Sequence, residues 1–341
     1  MEGIMTKVLV TGASGYIGLH CIEQLLADGY EVKGSIRSLS RIEEIEDALK
    51  KCGRDIGKLE LCEADLLNPD GWDDAVKGCD YVLHVASPFI VGVPKHEDEL
   101  IRPAVDGTRN VLNAAIKQGV KRVVLTSSVA AITDTHDGKT VYSEEDWTDT
   151  NHAKTSAYYK SKAMAEKLAW ELISNQNSKR KTELSVINPS VVLGPTLTND
   201  IGTSNEFVRQ IIVGKVPAAP RLHMGFVDVR DVAKAHILAM DNNKAAGERF
   251  IICEKEYWFV EICRTLREAG FKKAPARVMP NWLVKVFGLF DATTRQMAQL
   301  IGDERFTSAD KARKVLGWKG RNVEESILDT ANQLKEMGLI K

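Results

Sequence analysis

The sequence predicts an α/β fold, a doubly wound parallel sheet with a smaller, mixed lobe toward the C-terminus. Short apolar, β-branched runs alternate with segments of helical periodicity over residues 7–188. Each of these runs is almost continuously apolar, which is typical of parallel strands covered on both faces. A glycine-rich turn at residues 11–18 joins the first run to the first helical segment. Together these observations favour a sheet that binds a ligand at the carboxyl ends of its strands.

The composition excludes several other classes of protein. Of the 341 residues, 44% are hydrophobic and 27% are charged, which rules out a disordered or fibrous chain. The net charge of −1, with both signs interspersed, predicts no nucleic-acid partner and no membrane partner. The six cysteines are scattered without a C-x-x-C pair, and residues 1–6 lead into the first strand without a signal peptide. We therefore expect a cytoplasmic protein with reduced thiols, as a monomer or homodimer.

The glycine-rich turn predicts a binding site for the pyrophosphate of a dinucleotide. Gly12 permits a tight bend after strand 7–10, Gly15 admits a ligand close to the backbone, and Gly18 lets helix and strand pack closely. The free N–H groups of the following helix, with the positive end of its dipole, then face the bend. The spacing is G-x-x-G-x-x-G rather than the G-x-G-x-x-G of the usual dinucleotide fingerprint. An ordinary strand–helix connection is the alternative interpretation.

The remaining elements follow in order along the chain. Further strands are predicted at 31–37, 58–64, 80–86, 121–128, 183–188, 225–228 and 249–253. Helices are predicted at 40–51, 100–118, 156–175, 229–240, 280–300 and 322–337. The stretch 189–220 holds four of the ten prolines and is expected to be rich in loops. We assign 1–188 and about 225–253 to a dinucleotide-binding domain, and about 189–224 and 254–341 to a substrate-binding lobe.

Two polar residues stand at strand ends that would meet a dinucleotide. Arg37 lies about twenty residues after the glycine-rich turn, where an acid usually holds the ribose 2′-OH of NAD. An arginine there instead fits a 2′-phosphate, which it can grip with two hydrogen bonds, and Arg41 is a second cation nearby. A solvated surface arginine is the alternative. Asp65, which ends the third strand, either accepts from the adenine amino group or caps the segment that follows.

A tyrosine and a lysine lie one helical turn apart after the fifth strand. Tyr158 and Lys162 share a helix face, whereas Tyr159 has Ala163 at the equivalent spacing. A positive charge one turn away stabilises the ionised form of a phenol, which suits a residue that must release a proton. Because such a pair is also common on a solvated helix face, the pair alone does not define a site.

The ordered set of motifs resembles one family, the extended short-chain dehydrogenases/reductases. The motifs are Thr11–Gly18, Asp65-Leu66, His84-Val85-Ala86-Ser87-Pro88, Thr126-Ser127-Ser128, Tyr158-x-x-x-Lys162, Asn188–Pro195 and Phe226–Ala233. Within that family, the chain is most similar to the dihydroflavonol-4-reductase-like branch, which includes carbonyl, aldehyde and methylglyoxal reductases. The resemblance spans nearly the whole chain and is weakest over residues 255–300.

This resemblance implies a Rossmann-type fold that binds NADP(H), with Ser128, Tyr158 and Lys162 as the catalytic set. Both hydroxyls would hydrogen-bond the substrate's carbonyl oxygen, Tyr158 would donate the proton, and Lys162 would bind the nicotinamide ribose. The implied cofactor-binding residues are Gly12, Ser14, Gly15, Tyr16, Ile17, Gly18, Arg37, Asp65, Leu66, Val85, Ala86, Ser87, Thr126, Tyr158, Lys162, Pro189 and Val191. No metal is implied, and the seven histidines show no ligand spacing. The asparagine that many extended members use as a fourth catalytic residue is Ala104 here.

The sequence favours an NADPH-dependent reductase of small carbonyl compounds over three other functions. A nucleotide-sugar epimerase or dehydratase would favour an acid at Arg37 and clustered cations for a diphosphate, whereas Arg209, Lys215 and Arg221 are dispersed. A sterol dehydrogenase is a closer variant of the same superfamily. A regulator that senses the dinucleotide without turnover would typically lack Tyr158.

Apolar residues of three stretches are expected to close the substrate crevice. The residues, from stretches 89–91, 133–147 and 189–224, are Phe89, Ile90, Val91, Trp147, Leu197, Phe207 and Leu222. A further apolar stretch, 282–290, has three interpretations: it lines a pocket, packs into a core or faces a partner. We expect it to pack into a core.

Overall fold

The computed structural model describes residues 5–87, 94–290 and 292–340, which form twelve strands and eleven α-helices. The strands are β1 (Lys7–Thr11), β2 (Glu31–Ile36), β3 (Leu59–Glu63), β4 (Tyr81–His84), β5 (Arg122–Thr126), β6 (Val141–Tyr142), β7 (Glu183–Pro189), β8 (Val191–Leu193), β9 (His223–Asp228), β10 (Arg249–Ile252), β11 (Lys255–Trp258) and β12 (Phe306–Thr307). The helices are α1 (Tyr16–Ala27), α2 (Ile42–Lys51), α3 (Trp72–Val76), α4 (Asp98–Gln118), α5 (Ala157–Ser174), α6 (Gly202–Ile212), α7 (Val229–Asp241), α8 (Phe259–Glu268), α9 (Asn281–Phe287), α10 (Ala292–Met297) and α11 (Val323–Glu336).

A seven-stranded sheet, in which all neighbouring strands are parallel, forms the centre of the fold. Its strand order is β10-β7-β5-β4-β1-β2-β3. The chain therefore proceeds from β1 to one edge of the sheet, returns to β4 on the other side of β1, and continues outward. The reversal of strand order between β1 and β4 opens a crevice at the carboxyl ends of these strands. The predicted α/β fold class, a Rossmann-type doubly wound sheet, is confirmed.

Alternating side chains of the central strands fill two separate cores. Val8 and Val10 of β1 pack into the core under α1, α2 and α7, whereas Leu9 packs into the core under α3, α4 and α5. Val123 and Val124 of β5 divide in the same way. A strand with both faces buried must be apolar at every position, which explains the continuous apolar runs in the sequence.

A smaller lobe is built around the three-stranded sheet β11-β9-β8. Strands β8 and β9 are parallel, β9 and β11 are antiparallel, and α6, α8 and α11 contribute to the core beside them. The stretch 189–220, expected to be rich in loops, also contains β8 and α6, a helix that was not predicted. Val208, Ile211 and Ile212 have the helical spacing that predicts α6, and all three are buried. The proposed division into two domains stays a prediction. In the segment assigned to the dinucleotide-binding domain, β9 pairs in the smaller sheet, whereas α7 packs on the large one.

The predicted helix 280–300 is two short helices, α9 and α10, and its apolar surface is largely exposed. Val284 is buried, but the side chains of Trp282, Leu289 and Phe290 are 66%, 70% and 84% exposed. The expectation that 282–290 packs into a core is therefore wrong for most of the stretch. A seven-residue helix with one buried position offers too little surface to bury the rest.

A short segment, residues 305–307, which we call the strap, joins the smaller lobe to the loop that follows β5. Strand β12 pairs in parallel with β6, and the Phe306 N–H donates to the Thr140 carbonyl over 2.8 Å. Next to it, the Arg305 guanidinium donates to the Thr133 carbonyl over 2.8 Å and to the Asp134 carboxylate over 3.2 Å. The strap places residues from near the C-terminus beside the helix that carries Tyr158.

No helix among the described residues is both long enough and apolar enough to cross a membrane. All six cysteines are free thiols, and four of them are buried. Burial raises the pKa of these four buried thiols, to about 11 for Cys79 and about 12 for Cys253 and Cys263.

Candidate active site

The turn between β1 and α1 has the close approach that its three glycines predict. Gly12 has φ +71°, and a Cβ at this position would lie 3.0 Å from the Cβ of Ala86. A Cβ on Gly18 would lie 2.3 Å from the Gly12 carbonyl oxygen, so only glycine lets α1 pack this closely on the turn. Gly15 has extended backbone and directly precedes α1. The turn thus forms a cradle at a helix N-terminus, which fits a pyrophosphate.

The neighbouring strand end is held in place by a buried threonine and histidine. Thr11 Oγ1 accepts from the Ala86 N–H over 3.0 Å and bonds His84 Nδ1 over 2.9 Å. Burial lowers the pKa of His84 to about 3, so the imidazole is neutral at ordinary pH. These bonds fix the backbone of 85–87 along the crevice.

Arg37 and Asp65 lie at the ends of β2 and β3, as the sequence predicts. Arg37 is exposed, whereas the neighbouring Arg41 donates to Glu44 over 2.8 Å. The Asp65 carboxylate accepts from the Leu67 N–H over 3.0 Å, which is the local capping role considered above. Binding of adenine by Asp65 stays a prediction.

The other predicted cofactor residues lie at several places around the crevice. The Tyr16 hydroxyl donates to the Gly194 carbonyl over 2.8 Å, so this side chain joins α1 to the end of β8. Thr126 Oγ1 bonds His236 Nε2 over 2.6 Å. The remaining positions are Ser14 within the glycine-rich turn, Ile17 against the core, Leu66 after β3, Pro189 at the end of β7 and Val191 at the start of β8. Their contacts with a cofactor stay predictions.

Ser128, Tyr158 and Lys162 are positioned by β5 and α5. Ser128 follows β5, and its Oγ accepts from the Ala130 N–H over 3.1 Å at the start of a 3-10 turn. Tyr158 and Lys162 lie on the first turns of α5, and the Ser156 hydroxyl at the start of this helix accepts from the Tyr159 N–H. Lys162 Nζ donates to Ser87 Oγ over 3.0 Å and lies 5.9 Å from the centre of the Tyr158 ring. The lysine therefore lies between the crevice edge and the tyrosine.

Tyr159 has a different environment from Tyr158. Burial raises the pKa of Tyr159, and its hydroxyl is near Thr133, Asp134 and Arg305 of the strap. A phenol that burial keeps protonated is a poor proton donor to a substrate. Tyr159 is therefore the weaker candidate for the reactive tyrosine.

Tyr158 opens onto a cavity of about 700 Å³ between the large sheet and the smaller lobe. Its apolar lining includes Val129, Val191, Leu222, Met224, Met297 and Leu300, most of them from the smaller lobe. Asp134, His136 and Arg305 form a polar side, where both Arg305 and His136 contact the Asp134 carboxylate. The charges of Arg305 and Asp134 are therefore paired, and Lys154 and Asp303 add one charge of each sign to the lining. The predominantly apolar remainder suits a mainly apolar ligand.

Only part of this lining was predicted from the sequence. Leu222 lies in the cavity as expected, and residues 89–91 lie outside the described residues. The expectation is wrong for the three others. The guanidinium carbon of Arg249 lies 3.7 Å from the centre of the Trp147 ring. Leu197 packs on the core of the large sheet, and Phe207 packs on Phe259. Met297 and Leu300 were missed because they lie in the segment where the resemblance is weakest, and Arg305 because it lies far along the chain from the motifs.

A second, small cavity of about 20 Å³ lies beside Lys162, with Ala104 and Glu166 in its wall. Ala104 thus occupies a position beside α5 without supplying a polar group. Within the described residues, no cluster of three or more His, Cys, Asp or Glu side chains is arranged to hold a metal ion.

Comparison with known proteins identifies the family. Residues 8–253 match the model described as the NAD dependent epimerase/dehydratase family. The chain belongs to this family. It is 32% identical to the NADPH-dependent methylglyoxal reductase GRE2 of Saccharomyces cerevisiae, over 96% of this chain and 98% of that relative. It is 31% identical to cinnamoyl-CoA reductase 1 of Arabidopsis thaliana, over 97% of this chain and 90% of the relative.

The solved structures agree with this membership of the epimerase/dehydratase family. The crystal structure of yeast methylglyoxal/isovaleraldehyde reductase Gre2 complexed with NADPH covers 98% of this chain and 100% of its own, with a TM-score of 0.81. The resemblance to extended reductases, stated above from the motifs alone, is confirmed.

Proposed function

We propose that this protein is an NADPH-dependent reductase of uncharged aldehydes and ketones. The observation that carries the proposal is the position of Lys162, between Ser87 at the crevice edge and Tyr158 at the cavity. This arrangement joins a dinucleotide cradle to a proton donor and to a mainly apolar cavity. The printed activities of the yeast and plant relatives support the same reaction class.

The residues of the crevice fit NADPH. The backbone of the glycine-rich turn would hold the pyrophosphate, because a side chain at Gly12 or Gly18 would collide with its surroundings. Arg37, exposed at the end of β2, would grip the 2′-phosphate. Lys162 would bind the nicotinamide ribose. When bound, NADPH supplies the hydride that reduces the carbonyl carbon.

The side chains at the cavity account for the movement of the proton. Ser128 and Tyr158 would donate hydrogen bonds to the carbonyl oxygen, where negative charge develops. Tyr158 would then transfer its proton to that oxygen and remain as a phenolate. The ammonium of Lys162, 5.9 Å from the ring centre, stabilises this negative charge. The apolar lining restricts water at the reacting carbon.

A carbonyl panel, assayed by NADPH consumption, tests this proposal. The panel contains aliphatic and aryl aldehydes, ketones and a nucleotide sugar, and the Ser128→Ala variant is assayed beside the parent. We expect turnover of the simple carbonyls and a large loss in Ser128→Ala. If the enzyme converts only the nucleotide sugar, and no carbonyl compound leads to NADPH consumption, the result would instead support an epimerase or dehydratase.

We further propose a cytoplasmic location and a monomeric or homodimeric state. The free thiols are compatible with a reducing compartment. Size-exclusion chromatography with light scattering distinguishes the two oligomeric states, and cell fractionation tests the location.

A further inference from the structure

A buried carboxylate continues the catalytic face of α5. Glu166 lies one turn after Lys162 and two turns after Tyr158, on the same side of the helix. Its side chain is 0% exposed. A carboxylate in this position needs several hydrogen-bond donors to offset its desolvation. The hydrogen-bond partners of Glu166 therefore indicate its role.

One carboxylate oxygen of Glu166 faces the catalytic strand ends. Oε2 accepts from Ser127 Oγ over 2.6 Å and from Asn188 Nδ2 over 2.8 Å. The same Asn188 nitrogen donates to the Ser128 carbonyl oxygen over 3.2 Å. Two residues thus link the helix of Tyr158 to the peptide of Ser128.

The other oxygen of Glu166 is anchored away from the site. Oε1 accepts from Arg249 Nε over 2.5 Å and from Trp170 Nε1 over 3.4 Å. The Arg249 guanidinium also donates to the carbonyl oxygens of Glu144 and Asp146. Because Arg249 is held by the backbone, the carboxylate cannot rotate without losing a charged partner.

The amide of Asn188 shows which way this network acts. Asn188 is fully buried, and among the described residues its Oδ1 has no hydrogen-bond partner. If the Asn188 amide were rotated by 180°, its Oδ1 rather than its Nδ2 would face Glu166 Oε2 and the Ser128 carbonyl oxygen. Both of these atoms are acceptors, so neither could bond an amide oxygen. The carboxylate therefore fixes the amide with its donors toward Ser128, even though one buried oxygen is left unsatisfied.

We propose that Glu166 is a positioning residue that acts through Asn188 on Ser128. The carboxylate holds the Asn188 amide, the amide holds the Ser128 peptide, and the peptide sets the direction of the hydroxyl that faces the carbonyl oxygen. The inference rests on the proposed function, in which Ser128 binds that oxygen.

The Glu166→Gln variant tests this role. Glutamine has one oxygen, which Arg249 and Trp170 will attract, so its amide nitrogen turns toward Asn188. The Asn188 amide then reverses, and the Ser128 carbonyl loses its donor. We expect kcat to fall at least tenfold while the KM for NADPH changes less than twofold. Glu171→Gln, an exposed acid on the same helix, is the matched control and should leave kcat unchanged.

A double-mutant cycle with Ser128→Ala separates positioning from general damage. In the Ser128→Ala background, Glu166→Gln should lower kcat less than twofold further, because the group it positions is absent. If Glu166→Gln lowers kcat by the same factor in the parent and in the Ser128→Ala background, the inference is overturned while Ser128 remains a catalytic residue. An unchanged kcat in Ser128→Ala alone would remove the serine assignment, and this inference with it.

A second variant keeps the test valid if Glu166→Gln does not fold. Asn188→Ala removes the link to Ser128 and leaves the Glu166–Arg249 ion pair in place. It should show the same loss of kcat and the same disappearance of the effect in the Ser128→Ala background. Additive effects of Asn188→Ala and Ser128→Ala would overturn the inference.

Discussion

The Lys162 ammonium donates a hydrogen bond to the Ser87 hydroxyl over 3.0 Å, which joins α5 to the crevice edge after β4. None of the ion pairs among the described residues involves Lys162, so a neutral hydroxyl rather than a carboxylate holds it. Its positive charge is therefore not paired with a carboxylate at contact distance in the described part of the chain. This charge is available to the tyrosine ring 5.9 Å away and to a ribose in the crevice.

Replacement of Tyr158 by phenylalanine should abolish turnover while NADPH binding is retained. The variant removes the proton donor and keeps most of the ring's shape. We expect kcat to fall at least ~100-fold, the lower range for a positioned acid. Steady-state kinetics and a fluorescence titration with NADPH measure the two quantities. Tyr159→Phe is the control and should keep most of the activity; near-normal turnover in Tyr158→Phe would contradict the assignment.

Arg37→Ala should weaken NADPH binding and leave NADH binding almost unchanged. A charge-assisted contact with the 2′-phosphate is worth about 1.5–3 kcal/mol, or roughly ten- to a hundredfold in affinity. Calorimetric titration with both cofactors checks this. Arg41→Ala should have a smaller effect, because Glu44 already engages that guanidinium. Equal losses for both cofactors would mean that Arg37 acts through the structure of the crevice.

The parts of the site that could be predicted are those encoded by local sequence. The glycine-rich turn and the Tyr158–Lys162 pair are short patterns, and each lies where a strand or helix must place it. Arg305 could not be predicted in this way, because the strap brings it beside Thr133 through pairing of two-residue strands. The same holds for the Glu166–Arg249 pair, in which α5 and β10 meet only after the sheet has formed.

Two errors of the sequence analysis, the unpredicted helix α6 and the exposed apolar stretch 282–290, also have a physical explanation. Prolines near α6 suggest a loop, but the helix is stabilised by the buried side of Val208 and Ile211 rather than by local propensity. In contrast, Trp282 and Phe290 are apolar and yet exposed. Hydrophobicity alone therefore identifies core residues only where the fold supplies a facing surface.

The stability of the protein should fall as pH falls from 7 to 5. Burial lowers the pKa of His84 to about 3 and that of His236 to about 4, against ~6.5 in the unfolded chain. Between pH 6.5 and 4 the unfolded chain therefore binds more protons, and the free energy of unfolding decreases. Each histidine contributes about 2 kcal/mol of this loss at pH 5.

Urea denaturation of the parent and of His236→Gln, at pH 7 and pH 5, measures this pH dependence. The variant cannot take up the proton that His236 binds on unfolding, so its loss of stability should be about 2 kcal/mol smaller. An identical pH dependence in both proteins would show that His236 does not titrate on unfolding. Comparing each protein with itself at the two pH values separates this effect from the loss of the His236–Thr126 hydrogen bond.

Longer aliphatic aldehydes should be better substrates than shorter ones. The apolar side of the cavity, with Leu222, Met297 and Leu300, is large enough to enclose an alkyl chain. Each buried methylene is worth about 0.8 kcal/mol, so kcat/KM should rise about fourfold per carbon from propanal to hexanal. Leu300→Ser should flatten this series, whereas Leu289→Ser, on the exposed surface of the same lobe, should not. A series without slope, or tight competition by a nucleotide sugar, would show that the cavity does not select its ligand by apolar contact.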